Sequence, residues 1–439
     1  MVVSFRKQLI RDGIGSIAVR IVGTGLSFLL AVVLARTLGS EGYGTYSFAL
    51  SLLFFLSIPL QAGFPNLVVR ETARAHLQND WSIIKGLWLW VVRHILIYCF
   101  ILGALFILLK FADIYWLSSE RDEVFSVGLV LIPCTVLLVI QSALIRGLGR
   151  VVIGIIPDGI IRPGLTLLAI TLSLLWLSSE QITPRYAMTA YVASLTIAFM
   201  ISVAIIWAVT PPAMRDMRQR RFDVVNWRRA VYPLTVVGGL QLMYSYSDVI
   251  ILGLFRSDAE VGGYRAAGQL GMLVIFGLSA INQMLHPHFS KIYANGDMEK
   301  LQKLVTASSL GIFLLALLPG SILIFAGEFA LKLAFGEAYI GGALALAILS
   351  LGQLVNATFG SVGALLNMTG HETDAMRGML YSLVVNLILA FLLIPPFGIE
   401  GAALATAISL IVWNVILRFY VQKRLKIESI GFLYIFRKV

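Results

Sequence analysis

The sequence is poor in charge, in cysteine and in histidine, and each shortage closes off a class of protein. Only 13% of its 439 residues are Asp, Glu, Lys or Arg, about half the share usual in soluble domains and too few to clothe one polar-surfaced globule. The two cysteines, Cys99 and Cys134, lie in apolar stretches and supply no disulfide framework. Of the 5 histidines, the pair in His286-Pro287-His288 is too short and isolated for a metal site. There is no G-x-x-x-x-G-K-S/T phosphate loop, which excludes coupling the chain's own ATP hydrolysis to movement, and no recognisable Ser/His/Asp set.

What is present is apolar: 59% of the residues are hydrophobic and the mean hydropathy is +0.88, a composition that excludes a disordered chain. Lipid has to be the solvent. A span takes about 20 predominantly apolar residues, and no Lys, Arg, Asp or Glu interrupts 42–69, 124–145, 186–214, 266–290, 304–327, 338–371 or 378–399. With the runs that hold one or two interior charges, the pattern predicts twelve helices, at 13–35, 45–66, 86–109, 124–145, 152–177, 186–210, 230–255, 264–286, 305–326, 340–365, 379–396 and 399–420. The fold class expected is an all-α integral membrane protein.

Lys and Arg in short loops stay on the cytoplasmic side. With both termini inside, 24 of the 34 Lys and Arg fall on inner segments, seven on outer loops, and three, Arg20, Arg93 and Arg162, inside helices. The net charge of +11 therefore reflects topology and contact with anionic membrane lipids, not nucleic acid. The first apolar run has no small-residue cleavage pattern and reads as a retained helix, with residues 2–11 on the inner membrane surface.

The chain divides in two. The Arg-rich stretch 211–229 separates an N-terminal six-helix lobe, 1–210, from a C-terminal one, 230–420, followed by a cytoplasmic tail, 421–439. Gly44-Thr45-Tyr46-Ser47-Phe48-Ala49 and Gly262-Gly263-Tyr264-Arg265-Ala266-Ala267 share the pattern G-x-Y-x-x-A at an offset of 218 residues, and each is followed by a proline, Pro65 and Pro287. Six helices return the chain to its starting side, so the two bundles are expected to be related by a pseudo-two-fold along the membrane normal, with substrate in the cleft between them.

Ionisable groups at membrane depth are costly and are functional candidates by default. Five stand out: Arg20, Arg93, Asp158, Arg162 and Asp248. Asp158 and Arg162 lie four residues apart on one helix face with the acid first, the favoured order for a pair. Pro157 and Pro163 flank them and break the hydrogen-bond ladder, so this helix is expected to line a cavity. The pair serves either as a structural ion pair or as a substrate contact. Arg93 either lines the cavity or reaches along its stem to the inner surface, and His94 reads as a hydrogen-bonded helix residue. Asp248 shares a polar stripe with Gln241, Ser245, Tyr244 and Ser247, and its alternatives are proton or cation coupling and interhelical hydrogen bonding. Amides such as Gln61, Asn356, Asn386 and Asn414 read as glue between helices.

One family carries the remaining motifs in order. They are Leu34-Ala35-Arg36-Thr37-Leu38-Gly39-Ser40-Glu41-Gly42-Tyr43-Gly44-Thr45-Tyr46, then Arg162-Pro163, Asp248 ahead of the second G-x-Y-x-x-A copy, and Pro287 with Tyr293 and Asn295-Gly296-Asp297. Asn367-Met368-Thr369-Gly370 and Gly398-Ile399-Glu400-Gly401-Ala402-Ala403-Leu404-Ala405-Thr406 complete the set. On these the chain resembles the polysaccharide transporter family, the Wzx-type flippases of lipid-linked O-antigen and related repeat units, within the superfamily of multidrug, oligosaccharidyl-lipid and polysaccharide exporters. The resemblance implies twelve helices in two six-helix lobes, MATE/Wzx-like, around a cationic cavity in the cytoplasmic membrane. It also implies a substrate of oligosaccharide on undecaprenyl diphosphate, no cofactor, possible coupling to a proton or sodium gradient, and a polysaccharide polymerase and chain-length regulator as partners.

Guanidinium groups suit a diphosphate, so Arg20, Arg162 and Arg93 are the expected substrate contacts, with Asp248 and Asp158 as ion-coupling candidates. Lipid II flippases resemble the chain at Arg20-Ile21-Val22-Gly23 but carry a second arginine six residues later, where this chain has Leu26; that departure argues against the peptidoglycan precursor. The alternatives are a cation-coupled multidrug antiporter of the same superfamily and a polysaccharide polymerase or ligase.

Overall fold

The computed structural model describes residues 2–112, 117–177, 181–212, 214 and 219–438; Arg215 and Arg218 of the basic stretch lie outside them. The described residues are helical almost throughout, because a backbone that leaves water must satisfy its N–H and C=O groups internally. By length and composition, nine helices among the described residues can cross a membrane. Their exposed faces are apolar, with Phe100 77% and Trp176 87% accessible, the inverse of a soluble protein's surface.

The chain forms two compact units, Met1–Tyr246 and Ser247–Val439. The first opens with α1 (Val2–Leu56), a single run in hydrogen-bonding terms that is broken at Gly39 (φ 69°, ψ 179°). Only glycine adopts that backbone conformation readily, so two helices meet with a one-residue joint where the sequence pattern predicted a loop at 36–44. Residues 2–11, expected on the membrane surface, continue the first of them, since nothing in that stretch stops a helix. The second is succeeded by α2 (Ile58–Gln61) and α3 (Phe64–Leu77). At the break between α1 and α2 the freed carbonyl of Leu56 accepts a 2.7 Å bond from the Tyr98 hydroxyl.

The unit goes on with α4 (Trp81–Phe111), α5 (Ser119–Gly128), α6 (Leu131–Gly147), α7 (Val151–Ile156), a π-helical turn (Pro157–Ile161), α8 (Arg162–Trp176), α9 (Pro184–Val209) and the first part of α10 (Val224–Phe255). Trp227, wholly buried near the start of α10, meets Trp90 of α4 at 5.5 Å between ring centroids in a core shared with Phe64, Trp81 and Ile140.

The second unit takes in the end of α10, then α11 (Asp258–Ala294), α12 (Met298–Phe325), α13 (Gly327–Ala334), a 3-10 turn (Glu337–Gly342), α14 (Ala343–Phe359), α15 (Val362–Met368), α16 (Glu372–Leu425) and α17 (Gly431–Lys438). α16 is broken at Gly398 (φ 57°, ψ −128°), the counterpart of the joint at Gly39. As glue between helices, Asn414 of α16 donates to Asn356 of α14 at 2.9 Å.

Between α16 and α17 the chain is strapped down. Gln302 of α12 exchanges two 2.8 Å bonds with the backbone of Glu428. The buried Glu428 carboxylate accepts a double contact from Arg418 at 2.9 and 2.8 Å and another from Gln422 at 2.8 Å. Burial pushes this carboxyl up, but Arg418, the Ile430 amide and Gln422 outweigh it and hold the group below its ordinary value. Farther along the same face of α12, Ser309 accepts from the Gly431 amide and Phe313 meets Phe432 edge-on.

Candidate functional site

In the first unit the site is built around the π-helical turn. Pro157 and Pro163 bring no N–H, so the ladder cannot run regularly through this stretch, and the Arg162 amide bonds five residues back to the Pro157 carbonyl. Such wide turns mark functional positions in many helices. The turn packs closely on the first part of α1. A Cβ at Gly23 would fall on the Gly159 carbonyl oxygen, so Gly23 lets the backbones touch.

Asp158 and Arg162 project from this turn and are paired, Nε to Oδ1, at 2.9 Å. The guanidinium also donates from Nη1 to the hydroxyl of Tyr191 on α9, and its carbon lies 5.2 Å from that ring's centroid. Tyr191 is 3% exposed, whereas the side chains of Arg162 and Asp158 are 21% and 38% exposed. Tyr46, the tyrosine of the first G-x-Y-x-x-A copy, is buried close enough to act on the charge of Arg162. The arrangement can present a fixed positive charge with a carboxylate beside it.

The other two arginines are placed differently. Arg20 is exposed on α1, one residue from the buried Val19. Arg93 is exposed on α4 in a stripe with Leu89, Leu96, Ile97 and Phe100, an apolar face that suits the alternative in which its stem reaches for the surface. Neither makes an ion pair among the described residues, and no bond joins either to the Asp158–Arg162 pair. His94 is a satisfied helix residue, its Nδ1 2.7 Å from the Trp90 carbonyl oxygen.

In the second unit Asp248, 6% exposed, sits at the meeting of α10, α11 and α16. Its Oδ2 accepts from Thr406 at 2.6 Å and from the Tyr264 hydroxyl at 3.2 Å; its Oδ1 is buried without a hydrogen bond. Ser247 donates to Asn386, which donates to Ser409 at 3.4 Å. No Lys, Arg or His bonds to this carboxylate among the described residues, so hydroxyls and an amide surround it. Of the polar stripe expected on this helix, Ser247 joins the cluster and Ser245 bonds back to the Gln241 carbonyl.

Tyr191, Tyr264 and Thr406 were not among the expected site residues. The signal for two of them was in plain view, since Tyr264 is the tyrosine of the second repeat copy and Thr406 closes the Gly398–Thr406 motif. Tyr191 carries no such mark.

Comparison with known proteins places this geometry. A family model described as "Polysaccharide biosynthesis protein" matches residues 9–293. The chain is 22% identical over 431 residues, 96% of its own length and 85% of the relative's, to a probable low-salt glycan biosynthesis flippase, Agl15, of Haloferax volcanii. It is 34% identical over 177 residues, 40% of this chain and 41% of the other, to the capsular polysaccharide biosynthesis protein CapF of Staphylococcus aureus. Among solved structures, an inward-facing multidrug resistance MATE family transporter of the MOP superfamily superposes with TM-score 0.75 at 14% identity, covering 94% of this chain and 98% of that one. The lipid II flippase MurJ, inward closed, gives 0.71 at 13%, covering 94% and 87%. At such identities the likeness shows the fold, the all-α multi-pass membrane architecture of MATE-type transporters.

Proposed function

The chain belongs to the polysaccharide biosynthesis protein family, whose fold here is that of a transporter and not of an enzyme, and from that premise we propose that it is a flippase. It moves oligosaccharide repeat units linked to undecaprenyl diphosphate from the inner to the outer leaflet of the cytoplasmic membrane, by alternating access and without ATP hydrolysis. The observation that carries the reading is Arg162, a guanidinium held at membrane depth by Asp158 and Tyr191 on a proline-widened turn. An anionic diphosphate is the chemistry such a group serves. Arg20, exposed on α1, is a second contact; Arg93 is the weakest of the three.

Cutting the two long helices at Gly39 and Gly398 and adding α11 gives the twelve spans of this reading. They form six-helix lobes at 1–210 and 230–420, joined through the basic stretch 211–229, with both termini in the cytoplasm. Asp248, buried among hydroxyls, is the candidate for coupling transport to a proton or sodium gradient. A polysaccharide polymerase and a chain-length regulator are the partners that would take the product onward.

The test is to delete the gene and ask on which membrane face lipid-linked repeat units accumulate. Build-up on the inner face, relieved by the wild-type chain, is the expected result. Build-up on the outer face would point to a polymerase, and none at all to the second reading, a cation-coupled drug antiporter, which the buried, hydroxyl-bonded carboxylate of Asp248 favours.

A further inference from the structure

Two nitrogens of the Arg162 guanidinium, Nε and Nη1, already donate. A strong phosphate contact uses two parallel N–H groups along one edge of the fork. Nε is held by Asp158, so the edge formed by Nε and Nη2 is not open to a ligand while Asp158 stays, and Nη1 already gives one of its two N–H groups to Tyr191. The partners are not equivalent. Tyr191 is buried, neutral as an acceptor and stacked by the guanidinium; Asp158 is the more exposed member of its ion pair and stands on a turn whose regular hydrogen bonding is interrupted.

We propose that Arg162 exchanges partners during transport, with Asp158 occupying the guanidinium until a substrate phosphate displaces it and the displaced carboxylate then taking up a proton. This rests on the diphosphate reading above and deepens it. A carboxylate stripped of its paired cation at membrane depth is costly as an anion and neutralises instead. One proton passes from solvent to a carboxylate oxygen of Asp158 as phosphate oxygens replace it on Arg162, and the same proton leaves when the phosphate does. No covalent bond other than O–H changes. Tyr191 keeps the guanidinium in place through the exchange.

Tyr191 from α9 and Tyr46 from α1 act on the pair, with Tyr246 of α10 acting on Tyr191, and α1 also carries the exposed Arg20, next to the Val19 that lies beside Gly159 of the turn. Of the other elements packed on the turn, α7 has no ionisable residue and Arg146 of α6 donates to the Ser142 carbonyl. Asp158 is thus the acid that faces Arg162.

The experiment is calorimetric titration of the full chain in lipid nanodiscs with farnesyl diphosphate, run in buffers of different ionisation enthalpy. The wild type is expected to take up about one proton more per ligand than Asp158→Asn. The variant, which has no carboxylate to displace, is expected to bind at least about tenfold more tightly at neutral pH and to lose the part of the pH dependence that the ligand's own titration does not supply. The wild-type proton count can be read alone if the variant fails to fold. Binding by the wild type with no proton taken up, or equal or weaker binding by Asp158→Asn, overturns the exchange and leaves the diphosphate reading standing. No binding of the diphosphate by wild type or variant overturns both.

Discussion

Arg162 and Arg93 show how one residue type differs with its setting. Arg162 is clamped by a carboxylate, a hydroxyl and an aromatic ring; Arg93 stands in an exposed apolar stripe. Arg162→Ala should abolish export while the protein stays in the membrane, and Arg162→Lys should not restore it, because an ammonium lacks the planar fork. Arg93→Ala should leave export within about twofold of wild type, as expected of a surface-reaching side chain; labelled repeat units reaching the outer leaflet are the measure for all three. Asp248 is the charge proposed for coupling. Asp248→Asn removes the ionisation but keeps the volume and an acceptor for Thr406. The variant should remain folded and transport should stop responding when the ion gradient is collapsed, which a vesicle assay with and without ionophore reads directly. A normal gradient response in that variant would take Asp248 out of coupling.

Among the elements, the two glycine joints and the strap ahead of α17 are the positions where small changes should be felt. Gly39→Ala puts a Cβ into a backbone conformation reserved for glycine, at a cost of about 1–3 kcal/mol, and should lower the thermal unfolding midpoint in detergent. Ala at Gly311, mid-helix with no neighbour crowding it, should not. Glu428 gives a pH signature. Its carboxyl is held below the ordinary value in the folded chain, so its stabilisation is present above the unfolded value, about 4.3, and is lost as pH falls through the lowered one. Glu428→Gln should therefore reduce stability at neutral pH, by about 1–3 kcal/mol for a buried, multiply bonded carboxylate. The gap between wild type and variant should close in strongly acid buffer; a pH series of unfolding midpoints gives both arms.

At the scale of the whole molecule, the orientation is open to a direct check. Single cysteines at Arg220, on the basic stretch, and at Lys332, on α13, introduced into a chain without Cys99 and Cys134, should label with a membrane-impermeant reagent from the cytoplasmic and the outer face respectively. The reverse pattern would overturn both termini being inside.

Much of this scale was legible beforehand, because hydropathy is a property of composition: where helices lie and which loops carry Lys and Arg follow from the cost of placing backbone and charge in hydrocarbon. The helices expected at 186–210 and 305–326 lie within a few residues of α9 and of the C-terminal part of α12. The charged candidates for the site stand out in the sequence for the same reason, since a lone Asp or Arg in an apolar run is conspicuous. Their partners do not. Tyr191 and Thr406 look like dozens of ordinary polar residues in a membrane helix until folding carries them across from another helix to Arg162 and Asp248. The same holds for the single-residue joints at Gly39 and Gly398, where a backbone angle replaced a predicted loop. The amino-acid order by itself determined the solvent and the all-α multi-pass class, because those energies depend on one residue and its surroundings. Which side chain satisfies which charge was decided only by tertiary structure, because a hydrogen bond needs two atoms within about 3 Å and the chain separates them by tens or hundreds of residues.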